Sequence, residues 1–140
     1  MCPIQKLKRR SDMDLNQNKV LIVDDEKAIR LGLFHCVKNA GFEPVAAADG
    51  KEALRLIDEH RPALVILDVM MNGLSGLEVC RILRSNPKTK GMKIVFLSAK
   101  GQMKEQEQGL EAGGDYYITK PFDYRELIEI IKNFLRPGDE

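Results

Sequence analysis

The stretch Val20-Leu21-Ile22-Val23-Asp24-Asp25-Glu26 sets four apolar residues, mostly β-branched, directly before three carboxylates. A continuous apolar run of this length reads as a strand buried on both faces, as in a parallel sheet. Two further runs have the same form. Ala63-Leu64-Val65-Ile66-Leu67 ends in Asp68, and Met92 through Leu97 (MKIVFL) ends in Ser98. Weaker strands are expected at Pro44 to Ala47 and at Tyr116 to Thr119, the second followed by Lys120-Pro121.

Between these runs the apolar period becomes helical. Ile29, Leu33, Cys36, Val37 and Ala40 share one face, with Gly41 as a C-terminal stop. Ala53, Leu54 and Ile57 follow Asp49, which reads as an N-cap, and Leu77, Val79, Cys80 and Leu83 form a third stripe before Pro87. Tyr124, Leu127, Ile128, Ile131, Phe134 and Leu135 form the last stripe, capped by Asp123 and ended by Arg136-Pro137-Gly138. The segment from Gly101 to Gly114 is polar, with Met103 and Leu110 as its main apolar anchors; if helical, it is weakly held and a candidate for movement.

Strands alternating with helices in five βα units predict an α/β domain with a central parallel sheet and helices on both faces. Composition agrees with one such domain. Of 140 residues, 44% are hydrophobic and 31% charged, enough to bury a core. The formal net charge of +1 hides an uneven distribution. Residues 1–19 carry five basic groups, including Lys6, Lys8, Arg9 and Arg10, against Asp12 and Asp14, a net of +3. The other 121 residues hold 17 basic and 19 acidic groups, a net of −2. Residues 1–18 are therefore expected to be a basic tail, 19–136 the domain and 137–140 a short C-terminal tail. The basic run reads first as a solvated tail, although such runs also bind nucleic acid or anionic membranes.

No apolar run approaches the roughly 20 residues that span a bilayer, and the basic start has no apolar region behind it to make a secretory signal. The three cysteines form no CxxC pair, and with two lone histidines they do not make a zinc site. Cys36 and Cys80 read as small core residues. A reducing cytoplasm is the expected location, with no membrane partner.

In parallel sheets of this kind ligands sit outside the carboxyl ends of the strands. There the sequence delivers Asp24 and Asp25, Asp68, Ser98 and Lys120. Three carboxylates brought together raise one another's pKa, and a hard divalent cation lets all of them stay ionised. Oxygen ligands suit Mg²⁺, which usually shares its site with a phosphate. One hydroxyl and one ammonium complete a phosphoryl-transfer site with Asp68 as a carboxylate nucleophile. Asp24 and Asp25 by themselves read equally well as helix caps; in register with the other three groups, the site reading prevails.

Asp24-Asp25-Glu26, Leu67-Asp68-Val69-Met70-Met71, Leu97-Ser98-Ala99-Lys100 and Asp115-Tyr116-Tyr117-Ile118-Thr119-Lys120-Pro121-Phe122 resemble the receiver domain of bacterial response regulators, chemotaxis regulators among them. The resemblance covers about residues 19 to 135. It implies a flavodoxin-like, doubly wound sheet in the order 2-1-3-4-5. It also implies Mg²⁺-dependent transfer of a phosphoryl group to Asp68 from a phosphohistidine on a sensor histidine kinase or a histidine phosphotransfer protein. On the family pattern, Asp24 and Asp25 match the acidic pair at the metal, with Asp25 favoured as the direct ligand. Met70 matches the residue whose backbone carbonyl completes the metal shell. Ser98 and Lys120 match the groups that receive the phosphoryl oxygens, and Tyr117 the aromatic that turns inward on switching. Lys120-Pro121 matches a bond that is usually cis. Asn72 stands where proline is frequent, implying a looser loop, and Gly113-Gly114 replaces Gly-Ala, implying a softer entry to the last strand.

The resulting expectation is a phosphorylation-controlled switch, not an enzyme beyond self-phosphorylation from small donors and slow autodephosphorylation. It would have no output domain of its own. Its partners would be a kinase or phosphotransfer protein and a downstream protein target, with no direct nucleic-acid contact and a homodimer through the last two helices as an option. The alternative is the N-terminal receiver piece of a longer regulator with a DNA-binding or second-messenger output. An aspartate-nucleophile phosphatase fits less well: such enzymes place their nucleophile after the first strand with a second aspartate two residues on, whereas Asp24 and Asp25 are adjacent.

Overall fold

The computed structural model describes residues 15–71, 73–98, 108 and 111–135. The basic run at Lys6 to Arg10, Asn72, Ala99-Lys100, most of the polar segment after Gly101 and the C-terminal tail lie outside the described residues. In chain order the elements are β1 (Asn16–Val23), α1 (Lys27–Asn39), β2 (Glu43–Ala47), α2 (Gly50–His60), β3 (Pro62–Asp68), α3 (Gly76–Ser85), β4 (Lys93–Ser98), β5 (Tyr116–Thr119) and α4 (Tyr124–Leu135).

The five strands form one sheet in the order β2-β1-β3-β4-β5, with every pair parallel. The continuous apolar runs divide by residue parity, as strand geometry requires. Leu21, Val23, Val65, Leu67, Ile94 and Phe96 face α2 and α3, where Ala53, Leu56, Ile57, Val79, Cys80 and Leu83 complete one core. Val20, Ile22, Leu64, Ile66, Val95 and Leu97 face α1 and α4, meeting Leu33, Val37, Leu127, Ile130 and Ile131 in the other. Every residue of β3 is buried, which places it at the centre and makes Asp68 the end of the most enclosed strand.

β1 starts earlier than its apolar run. Asn16 already pairs with Pro62, its N–H donating to the Arg61 carbonyl at 2.6 Å, and Leu15 before it is buried. The register then shifts before Val20. Asn16, Gln17 and Asn18 are exposed and polar, so hydropathy gives no sign of a strand there.

The helix ends follow their local chemistry. Gly41 N–H bonds to Lys38 O and Phe42 N–H to Val37 O, the paired closure of a Schellman motif after α1. The Asp49 carboxylate accepts Glu52 N–H at 2.8 Å, and Asp123 accepts Arg125 N–H at 2.8 Å. Ser75 and Glu78 form a reciprocal capping box at the start of α3.

A cluster around Arg84 ties α3 to the starts of β4 and β5. Its Nε donates to Gly113 O at 2.7 Å, Nη1 to Lys90 O at 2.9 Å and Met92 O at 2.5 Å, and Nη2 to Asp115 Oδ2 at 2.8 Å. The same Asp115 oxygen accepts Ile94 N–H at 2.8 Å. The entry to β5 is therefore firmer than Gly113-Gly114 implied. Gly113 has φ +109°, and a Cβ there would collide with the Arg84 side chain, so glycine at this position permits the clamp.

Candidate functional site

The pairings Val23↔Leu67, Asp68↔Leu97 and Ser98↔Thr119 bring the ends of β1, β3, β4 and β5 level with one another. The chain leaving β1 turns sharply: Asp24 Oδ1 accepts Glu26 N–H at 2.9 Å, and Arg30 Nη1 donates to the Asp24 carbonyl at 2.8 Å. After β3, Asp68 Oδ1 accepts Met70 N–H at 3.2 Å. Val69 N–H bonds to Leu97 O and Gly76 N–H to Val69 O, folding the start of α3 against the Asp68 backbone. Glycine is needed at 76 because an added Cβ would overlap the Asp68 carbonyl.

Asp24, Asp25 and Asp68 each place a carboxylate oxygen within 4.8 Å of the others. Asp24 and Asp68 are buried and Asp25 is exposed. Lys120, which follows β5 and precedes a cis peptide bond to Pro121, extends its ammonium into this group. Its Nζ lies 2.9 Å from Asp24 Oδ2, 3.2 Å from Glu26 Oε1 and 3.5 Å from Asp68 Oδ2. Lys120 N–H also donates to the Ser98 carbonyl at 2.6 Å, joining the ends of β4 and β5.

One ammonium among this many carboxylates leaves excess negative charge. Burial, reinforced by the Asp24 carboxylate, pushes the Asp68 pKa up to about 6. Lys120 and the Met70 N–H oppose the rise without cancelling it. Burial also works against the Lys120 ammonium, but its close pairing with Asp24 and the fields of Asp68 and Asp24 outweigh it and leave its pKa above the ordinary value. Asp24 Oδ2 has the ammonium as an ion-pair partner but no well-directed hydrogen bond, although it is fully buried. Clustered hard oxygens, an under-satisfied buried carboxylate and surplus negative charge together fit a divalent cation.

The structure thus brings Asp24, Asp25, Asp68 and Lys120 together. Ser98 is buried at the same edge, between the Asp68 and Lys120 strand ends. Met70 stands beside the cluster with its side chain exposed. Tyr117 is half-buried on β5 and tilted against Phe96 at 6.4 Å between ring centroids. An open groove of about 480 Å³ runs along Tyr117, Thr119, Phe122 and Glu126 on this side. The sequence gives Glu26 no role of its own; only the fold shows that its side chain reaches Lys120.

Comparison with known proteins agrees with this geometry. The family model for the response regulator receiver domain matches residues 20–132. The DNA-binding response regulator MtrA of Mycobacterium tuberculosis is 38% identical over 128 residues, covering 91% of this chain and 55% of that protein. The phosphate regulon transcriptional regulatory protein PhoB of Pseudomonas aeruginosa is 42% identical over 123 residues, covering 86% and 54% respectively. The chain spans about half the length of these curated relatives. Among solved structures, the Vibrio cholerae chemotaxis protein CheY4 superposes with a TM-score of 0.79 at 32% identity, over 84% of this chain and 98% of that one. The receiver domain of Francisella response regulator 1452 gives 0.80 at 33%, over 87% and 99%. This chain belongs to the response regulator receiver domain family.

Proposed function

We propose that Asp68 is the phosphoacceptor of a two-component or phosphorelay switch. The observation that carries this reading is the position of Asp68: a buried carboxylate at the end of the central strand, beside two further aspartates and within reach of one lysine. Asp24, Asp25, Asp68 and the Met70 backbone carbonyl would hold Mg²⁺, which when bound supplies positive charge to offset the carboxylates and the incoming phosphoryl oxygens.

The chain's own groups then have separate tasks. An Asp68 carboxylate oxygen attacks phosphorus, a P–O bond forms, and the P–N bond of the donor phosphohistidine breaks to release its imidazole. Lys120 neutralises one phosphoryl oxygen while Asp24 fixes the ammonium from behind. The Ser98 hydroxyl donates to a second oxygen. Most of the catalytic effect is position and charge complementarity. Phosphorylation gives Ser98 and Lys120 a new partner and so biases a two-state equilibrium, with Tyr117 and its groove as the surface that changes for a downstream protein. The kinase or phosphotransfer protein, the target, the cytoplasmic location and a homodimer belong to this same reading, as does the C-terminal division at residue 136; the N-terminal division expected at residue 18 falls earlier, before buried Leu15 and β1, which starts at Asn16. No substrate is turned over apart from self-phosphorylation and slow loss of the phosphoryl group.

Incubation with acetyl phosphate and Mg²⁺ tests the assignment. Wild-type protein should acquire acid-labile phosphate and Asp68→Asn should acquire none; equal uptake by both would overturn it. A second reading is favoured by the relatives' length: the chain corresponds to the receiver part of a longer regulator with a DNA-binding output. The length of the native open reading frame decides between the two.

A further inference from the structure

Glu26 occupies the N-terminal boundary of α1, where a short polar side chain such as Ser, Thr, Asp or Asn accepts one of the first free N–H groups of the helix. It makes no such bond. Its carboxylate reaches instead to Lys120, 94 positions away in sequence, at 3.2 Å. Two contacts aim it there: its N–H is held by Asp24 Oδ1 at 2.9 Å, and its carbonyl accepts Arg30 N–H at 3.0 Å. Of the three carboxylates paired with Lys120, Asp68 is the most distant. Asp24 is buried and fixed, whereas the Glu26 side chain is 62% exposed and can leave into water at little cost.

We propose that Glu26 is a positioning residue that holds Lys120 back from Asp68 in the unphosphorylated protein and competes with the phosphoryl group for its ammonium. The inference rests on the phosphoacceptor reading above. When Asp68 carries a phosphoryl group, the denser charge of its oxygens displaces the Glu26 carboxylate, which turns to solvent. The strength of this pair sets part of the cost of entering the phosphorylated conformation. An exposed ion pair changes an equilibrium constant by at most a few-fold. Removing it should therefore favour the phosphorylated conformation by about two- to five-fold.

Beryllofluoride, which bonds to a carboxylate oxygen as a phosphoryl stand-in, reads this equilibrium directly by ¹⁹F NMR titration at saturating Mg²⁺. Wild type, Glu26→Gln, Glu26→Asp and Asp68→Asn are compared. Glutamine removes the charge. Aspartate keeps the charge but is one C–C bond shorter, roughly 1.5 Å, so it cannot make the pair. Both Glu26 variants should bind beryllofluoride about two- to five-fold more tightly than wild type. Binding by Glu26→Gln equal to wild type overturns the inference. Binding by Glu26→Asp equal to wild type also overturns it, since a general effect of negative charge would then suffice. A merely structural role would move the melting temperature, which Glu26→Asp should if anything raise by capping α1, and would leave beryllofluoride affinity alone. No site-specific binding by wild type, or equal binding by Asp68→Asn, overturns the phosphoacceptor reading itself, an outcome distinct from a failure confined to the Glu26 variants.

Discussion

Replacing Asp68 with asparagine should stabilise the metal-free protein, and the size of the gain can be worked from the site. Burial and the Asp24 carboxylate carry the Asp68 pKa from 3.8 to about 6 after the opposing effect of Lys120 is included. Each tenfold change in proton affinity is worth about 1.36 kcal/mol, so the charged form costs the fold about 3 kcal/mol at most. The sign follows from linkage. Between pH 4 and 6 the folded protein holds a proton that the unfolded chain has released, so stability falls as pH rises through that window. Above it the penalty is fully present; below pH 4 both states are protonated and it vanishes. In EDTA at pH 8, Asp68→Asn should therefore be more stable than wild type by about 2–3 kcal/mol, or roughly 10 °C in melting temperature. At pH 4 the two should nearly coincide. Saturating Mg²⁺ should raise wild type far more than the variant, because it binds the folded site that the substitution weakens. Urea denaturation at the two pH values, with and without Mg²⁺, measures all of this. A variant no more stable than wild type in EDTA at pH 8 would refute the claim that Asp68 is an electrostatically strained charge.

Three other substitutions probe the parts that hold the site in place. Arg84→Met removes the fork that joins Gly113, Lys90, Met92 and Asp115, and should lower stability by about 2–4 kcal/mol in urea denaturation; a loss under 1 kcal/mol would show the cluster to be dispensable. Gly76→Ala forces a methyl group against the Asp68 carbonyl and should cost about 1–3 kcal/mol. It should also slow uptake of phosphate from acetyl phosphate, because the strand end that presents Asp68 must shift. Asp49→Ala removes the cap of α2 and should cost about 1 kcal/mol in the same denaturation assay while leaving phosphate uptake unchanged.

The difference between what can and cannot be read from the chain follows from the range of each interaction. Strands such as Ala63 to Leu67 are legible because burial on both faces demands an unbroken apolar run, and that demand is local. Strand ends are then legible too, which is why Asp68, Ser98 and Lys120 stand out before any geometry is known. Leu15 and Asn16 are not legible, because the carbonyl of Arg61, not an apolar pattern, makes Asn16 part of a strand. Arg84 looks like any polar helix residue, since its partners are backbone carbonyls and an aspartate 31 positions away. Asp24, Asp25 and Glu26 show the limit most sharply. In sequence they are three similar acids in a row, and their type says nothing about which is enclosed. In the fold the first is fully buried against Lys120, the second is exposed at the edge of the acidic cluster, and the third reaches over the helix start to the same ammonium. A single turn, closed by the Asp24–Glu26 hydrogen bond, sends consecutive side chains in different directions. Their identities make all three hard oxygen ligands; only the fold gives each a different neighbour.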